Sequence, residues 1–352
     1  MKGIFMSVKK RIISISVSAI LVVAILYLST LLLIPKYMES SREGALIAEY
    51  YDEADAQNKH DVIFVGDCEV YESFVPPVLW NEYGISSYIR GSAQQLVWHS
   101  YYLLEETFKY ESPKVVVFNV LSLKYGSPQN EAYNRMTLDG MRLSRIKMNS
   151  VKASMTEEET FLSYIFPLFR FHSRWRELSG EDFRYMFKKD KVSHNGYLMQ
   201  TNVVPKTSDR VGEELMDYTL PQVGFEYLDK IYELCNSHGA ELILIKSPTN
   251  TWKYWWYDEW DTQVREYAEK NGIDYYNFIN DENLNIDWST DTYDGGIHLN
   301  VYGAEKLTCY FGSILAERYG IEDRRGENGV SEIWNEKYKI YLNAKKESEE
   351  SK

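Results

Sequence analysis

Cysteine is scarce in this chain: Cys68, Cys235 and Cys309 are the only three in 352 residues. Three thiols leave at least one unpaired, and a chain that is 44% apolar can bury a core without covalent staples, so a disulfide-built scaffold is excluded. No spacing among the cysteines resembles a zinc site, and neither a metal nor a cofactor is expected. Positive charge is also short. The formal net charge is −13, of which residues 1–35 supply +4, so the remainder carries −17. That balance argues against nucleic acid as a partner. No internal repeat is present, which removes solenoid architectures.

One stretch lacks charge altogether. Ile12 to Ile34 is a 23-residue apolar run, long enough at about 1.5 Å per residue to cross the roughly 30 Å hydrocarbon core of a bilayer. A cleaved signal peptide is the competing reading, but its apolar region is usually about 7–15 residues with a small-residue cleavage site. Here Pro35-Lys36 follows instead. Lys2, Lys9, Lys10 and Arg11 precede the run with no acid among them, which keeps residues 1–11 cytoplasmic and sends the rest outward. The expectation is a single-pass protein of the cell membrane, anchored through 12–34, with an extracellular domain.

Beyond the anchor, 36–59 reads as a polar, helical stalk. Apolar β-branched runs then alternate with helix-like stretches, and Val62–Val65, Ser86–Ile89, Val115–Phe118, Leu242–Ile245 and Ile273–Phe278 are predicted strands. That alternation predicts an α/β fold with a parallel sheet between helical layers. The domain is expected in two parts, 60–124 and 221–323, separated by an inserted, mainly helical cap over 125–220. Within the cap, Met136–Met148 and Glu157–Arg176 have helical spacing, and His194–Pro205 is irregular enough to fold over a cleft. The charged tail, 324–352, is expected to fray at its end.

In an open parallel sheet, ligands sit outside the carboxyl ends of the strands. Asp67 and Cys68 follow the first strand, Gly91, Gln94 and Gln95 the second, Asn119 the third, and Asn250 and Trp252 the fourth. Cys68 opens a helix-like stretch, a setting that lowers a thiol pKa. His298, late in Asp294-Gly-Gly-Ile-His298-Leu-Asn300, is the candidate general base if it reaches Cys68, with Asp294 as its orienting acid and Asp291 as the alternative. The Cys68 backbone N–H, the Gly91 backbone and the Asn119 side-chain amide are candidate oxyanion donors. Asp67, Gln94, Gln95, Asn250 and Trp252 are candidate substrate contacts, and the run Trp252, Trp255, Trp256 and Trp260 offers aromatic faces for a sugar. Cys235 and Cys309 read as core residues, and His172 and His194, in the insertion, as structural.

Val62–Pro76, Gly91–Gln95, Val115–Asn119 and Asp294–Lys306 together resemble the SGNH/GDSL hydrolase superfamily, in particular its membrane-anchored DltD-like branch. Leu299-Asn-Val-Tyr-Gly-Ala-Glu-Lys306 matches best, and the agreement runs over roughly Asp61 to Tyr319 outside the insertion. The resemblance implies a flavodoxin-like α/β/α domain and metal-independent esterase or acyltransferase chemistry. It also implies oxyanion donors at Cys68, Gly91 and Asn119, a cell-surface glycan or polymer as substrate, and a membrane-bound acyltransferase as partner. Two positions depart from the family pattern. Cys68 stands where serine is usual, and Gly295 occupies the usual place of the acid. The alternatives are a non-catalytic polymer-binding or assembly subunit on the same fold, and a redox-sensitive or partner-linked thiol at Cys68.

Overall fold

Five short apolar runs make one parallel sheet: β1 (Val62–Gly66), β2 (Ser87–Gly91), β3 (Val115–Asn119), β4 (Glu241–Lys246) and β5 (Asp274–Asn277), in the order β2-β1-β3-β4-β5. The protein is described by a computed structural model covering residues 8–35, 44–187, 190–206, 212–250, 256–279 and 281–351. The helices are α1 (Val8–Leu33), α2 (Ala45–Asp55), α3 (Cys68–Tyr71), α4 (Pro76–Tyr83), α5 (Val97–Tyr110), α6 (Glu131–Leu138) and α7 (Arg145–Ser154). After them come α8 (Phe161–Ile165), α9 (Leu168–Phe171), α10 (Gly180–Tyr185), α11 (Gln222–His238), α12 (Asp258–Asn271), α13 (Val301–Arg318) and α14 (Val330–Glu350). The chain divides into two compact units, one made of α1 and Thr160–Asp190, the other holding the sheet.

The three central strands are buried on both faces, which is why they read as unbroken apolar runs rather than alternating ones. Phe64, Val115, Val117, Ile243 and Ile245 pack against α3, α4 and α13, while Ile63, Val65, Val116, Phe118 and Leu244 pack against α5, α11 and α12. The result is a three-layer α/β/α sandwich with the flavodoxin-like strand order. Its chain reverses direction across the sheet between β1 and β3, so the crevice at their carboxyl ends is where this architecture holds a ligand. The exposed edge of β2 is covered: the Ile89 N–H donates to the Asn195 carbonyl at 3.0 Å.

Several sequence expectations require correction. The stalk is not one: α2 buries Leu46, Ile47, Tyr50 and Tyr51 in the domain core, because its apolar residues fall on one face. The tail does not fray within its described residues, since α14 continues to Glu350 with Trp334 stacked on Trp80 at 5.6 Å and Tyr341 fully buried. The cap over 125–220 is not one element. Helices α6 and α7 belong to the sheet unit, Thr160–Asp190 groups with α1, and His194–Tyr197 runs along β2. The predicted helix Met136–Met148 is broken by the turn between α6 and α7, and Glu157–Arg176 splits into α8, α9 and a single 3-10 turn, His172–Arg176.

Helix α1 is long and apolar enough to cross a membrane, with a mean hydropathy of 2.5.

Candidate active site

Gly66 ends β1 with no room for a side chain: a Cβ there would lie 2.7 Å from Val70 Cγ2 and 3.0 Å from Asn119 Cβ. Asp67 leaves the strand and caps α3, its Oδ1 accepting the Glu69 N–H at 3.1 Å. Cys68 is therefore delivered, half-buried, to the carboxyl edge of the sheet as the first residue of α3.

The histidine arrives from the far end of the chain on a loop that clamps itself. Asn300 caps α13 by accepting the Tyr302 and Gly303 N–H groups, while its amide donates to the Thr290 carbonyl at 2.7 Å and the Asn202 carbonyl at 3.1 Å. Asp291 is buried and holds the loop from inside, accepting the Lys306 ammonium at 2.6 Å and the Asp287 N–H at 2.8 Å. It is thus committed to structure, and the alternative role for it falls away. Gly295 and Gly296 sit at φ 82° and 99°, in a region open to glycine at no steric cost. They fold the loop so that Asp294 Oδ1 accepts the Ile297 and His298 N–H groups at 3.1 and 2.9 Å, and Oδ2 lies 2.7 Å from His298 Nδ1. The extra residue between acid and base is absorbed by that turn. His298 Nε2 then lies 3.2 Å from Cys68 Sγ.

A second acid faces the same ring. Glu72 Oε2 is 3.8 Å from His298 Nδ1 and accepts the Tyr293 hydroxyl at 2.9 Å, and the Tyr293 ring lies nearly parallel to the imidazole. Burial pushes Glu72 up to about 7, with His298 opposing. Burial likewise pushes the Cys68 thiol up to about 11, against the pull of His298 and with Asp67 and Glu72 adding to it. The expected lowering by the helix terminus is not what the site gives: burial dominates, and the neighbouring Asp67 and Glu72 add to it. For His298, burial disfavours the charged ring. Cys68, the Asp294 hydrogen bond and Glu72 outweigh it and raise the imidazole well above its ordinary range. The pair must lose one of its protons to act, so the acidic limb of its pH dependence is expected above the ordinary imidazole value of about 6.5. Glu72→Gln removes one acid holding that proton and should move the limb to lower pH, read as the rate of Cys68 acylation from about pH 5 to 10. An unmoved limb would remove Glu72 from the site.

Beneath the cysteine lies a buried ionic network. Lys246, fully buried at the end of β4, donates to both Glu69 oxygens at 2.8 and 2.7 Å and to the Ser247 carbonyl, and the Ser247 hydroxyl donates to the Glu69 carbonyl at 2.7 Å. Asn119 donates from Nδ2 to Glu69 Oε2 at 3.0 Å and to Asp67 Oδ1 at 3.2 Å. Both amide hydrogens are engaged, so the expected oxyanion role of Asn119 is corrected: its side chain faces the carboxylates, with Oδ1 buried and unpartnered. Burial and the neighbouring Glu69 push Asp67 up to about 7, against Lys246 and Lys124. Asp67 is a cap within this network rather than a substrate contact.

The other candidates separate clearly. Gly91 ends β2 in register with Gly66, where a Cβ would meet the Gly66 carbonyl at 3.1 Å. Gln95 is buried and donates to the Arg90 carbonyl and the Ser100 hydroxyl, both at 3.0 Å, so it holds the β2 turn and is unavailable to a ligand. Gln94 is half-buried at φ 48°. Asn250 is tied to the histidine loop, its N–H donating to the Gly296 carbonyl at 2.8 Å and its Oδ1 accepting Lys206 at 2.8 Å. Trp252 and Trp255 lie outside the described residues. Trp256 is buried beneath the sheet against Trp260, so these two rings serve packing rather than a sugar cleft.

No protein-family model and no curated protein matches the chain. Among solved structures, a protein assigned as an acylhydrolase from Bacteroides fragilis is similar at 10% identity and a TM-score of 0.36, covering 76% of this chain and 95% of that one. A GDSL-like lipase from Bacteroides thetaiotaomicron is similar at 11% identity and a TM-score of 0.36, covering 78% of this chain and 100% of that one.

Sequence reasoning missed Glu69, Glu72, Lys246 and Tyr293. A signal existed for two of them: Lys246 closes an apolar strand, Leu-Ile-Leu-Ile-Lys, and Glu69 adjoins the cysteine. Charges in such places are almost never buried without a partner.

Proposed function

We propose that the protein is an acyl-transfer enzyme working through a Cys68–His298–Asp294 triad. The observation that carries this is the Cys68 Sγ–His298 Nε2 approach of 3.2 Å, with Asp294 on the ring's other nitrogen at 2.7 Å. Asp294 accepts from Nδ1–H, which leaves Nε2 to take the thiol proton. Cys68 Sγ attacks an ester carbonyl, an S–C bond forms, and the C–O bond breaks as His298 returns the proton to the leaving oxygen. A water or sugar hydroxyl, deprotonated by His298, then attacks the thioester, and the proton returns to sulfur. Above the acidic limb, where His298 is neutral, the thiol that burial keeps protonated gives its proton to Nε2 as sulfur attacks. The backbone N–H of Cys68 and the backbone at Gly91 are the proposed oxyanion donors.

The motifs, the site geometry and the apolar α1 support a DltD-like, membrane-anchored enzyme with its domain outside the cell. In this reading it acts on a cell-surface glycan or polymer beside a membrane-bound acyltransferase. Incubating the protein with an activated acetyl ester should add one acetyl group to Cys68, removable by hydroxylamine and located by mass spectrometry. An unmodified Cys68 would defeat the reading. A second reading, a polymer-binding subunit that has lost the reaction, is favoured by the engagement of Asn119 away from the oxyanion position. It predicts no adduct, and polymer binding unchanged in Cys68→Ala.

A further inference from the structure

The unit formed by α1 and Thr160–Asp190 carries far more exposed apolar surface than a water-soluble element tolerates. Along α1, residues 8–28 are bare, which at about 1.5 Å per residue is close to the 30 Å of a hydrocarbon core. Cover begins where that length ends: residues 29–34 are half-buried and Pro35 is buried. Within this unit the partners of α1 are α9, α10 and the 3-10 turn His172–Arg176, and Arg174 Nη1 donates to the Leu33 carbonyl at 2.7 Å.

The stretch is itself two-sided. Tyr164, Phe171 and Tyr185 are buried, and Arg174 holds Asp182 at 2.9 Å. The outer side presents Leu162, Phe166, Phe169, Trp175, Phe183 and Phe187, between 49% and 85% exposed. Arg170 and Arg176 are exposed among them, over the rings of Phe171 and Trp175, in a protein that is otherwise strongly acidic, while Arg184 is held by Glu181 and Asp190. Aromatic rings interleaved with arginine, at the level where a spanning helix leaves the hydrocarbon, match the chemistry of the lipid headgroup region.

We propose that residues 160–187 form a second membrane contact, lying in the headgroup zone at the carboxyl end of α1 with the aromatic side turned into lipid and Arg170 and Arg176 meeting lipid phosphates. The insertion that sequence spacing suggested as a cap thereby binds the bilayer. This rests on α1 being a membrane anchor. Packing against α1 holds the stretch at the depth where its rings find the acyl boundary, and the exposed aromatics need no protein partner to leave water.

The test uses the full chain reconstituted in phosphatidylcholine–phosphatidylglycerol vesicles containing a phospholipid with a diazirine high on its acyl chain. After illumination, lipid adducts are mapped by mass spectrometry. Adducts are expected on α1 and on residues 160–187, the latter at least about tenfold above Leu143 and Ile340, exposed apolar residues of the other unit. The combined Phe166→Ser, Phe169→Ser and Trp175→Ser variant should lose about nine-tenths of the labelling in 160–187 while α1 keeps its own. Adducts on α1 alone would overturn the proposal, as would cross-links joining 160–187 of two copies in place of lipid. Absence of adducts from α1 would instead overturn the anchor. Labelling of the unsubstituted chain gives the answer whether or not the variant folds.

Discussion

His298→Ala should slow acylation of Cys68 by about 10²–10⁴-fold, the usual contribution of a positioned general base. The loss is large because the thiol offers no substitute. Burial holds it up to about 11, so below that range attack depends on a neutral His298, present above the acidic limb, to take the proton as the bond forms. The ring is half-buried and its interactions belong to the site, so the fold should survive and the rate alone should fall. Asp294→Asn should fall between wild type and His298→Ala, because the amide oxygen can still accept the Ile297 and His298 N–H groups but the amide nitrogen no longer fixes the ring's tautomer. Cys68→Ala abolishes the adduct. The check is a time course of intact mass against an activated ester, with thermal melting as the control. Acylation of His298→Ala at the wild-type rate would mean that the 3.2 Å contact is not catalytic.

Lys246→Met should be the most destabilising of the substitutions considered, because it strands a carboxylate. Glu69 and Lys246 are both essentially out of contact with water, and the two oxygens of Glu69 divide among the ammonium and the Asn119 amide. Removing one member of a buried pair costs about 3–5 kcal/mol, whereas removing both charges is often close to neutral. Lys246→Met with Glu69→Gln should therefore recover most of the loss, and the double-mutant cycle in urea isolates the pair. A loss in the single variant below about 1 kcal/mol, the range of exposed pairs, would show that water reaches the network. The same substitution should lower Cys68 acylation at temperatures where the protein is still folded, because Glu69 is the next residue along and its carbonyl is anchored by Ser247.

Much of the fold was readable because its signals are local. Buried parallel strands are continuous apolar runs, and Val62–Val65, Val115–Phe118 and Leu242–Ile245 lie within one residue of the ends of β1, β3 and β4. The stalk and tail were misread for a related reason. Helix α2 carries four acids and helix α14 is polar on average, and one-sided helices look solvent-exposed until the face they bury is known. Asp294 against Asp291 could not be settled by spacing, since the usual interval assumes a tighter turn. The positive φ angles at Gly295 and Gly296 are what bring the more distant carboxylate to the ring.

The chain's order of residues was enough to establish the parallel α/β architecture and the apolar helix, and to single out Cys68 and His298 as candidate partners. Those follow from periodicity, length and chemical type, which neighbouring residues carry. Three-dimensional packing alone settled which groups surround the cysteine. Asn119 is drawn to Asp67 and Glu69, Glu72 joins Asp294 at the imidazole, and a lysine 178 residues from Cys68 neutralises the turn beneath it. Hydrogen bonds and buried charges are satisfied by whatever lies within about 3 Å, and that proximity is set by the way the layers close rather than by distance along the chain.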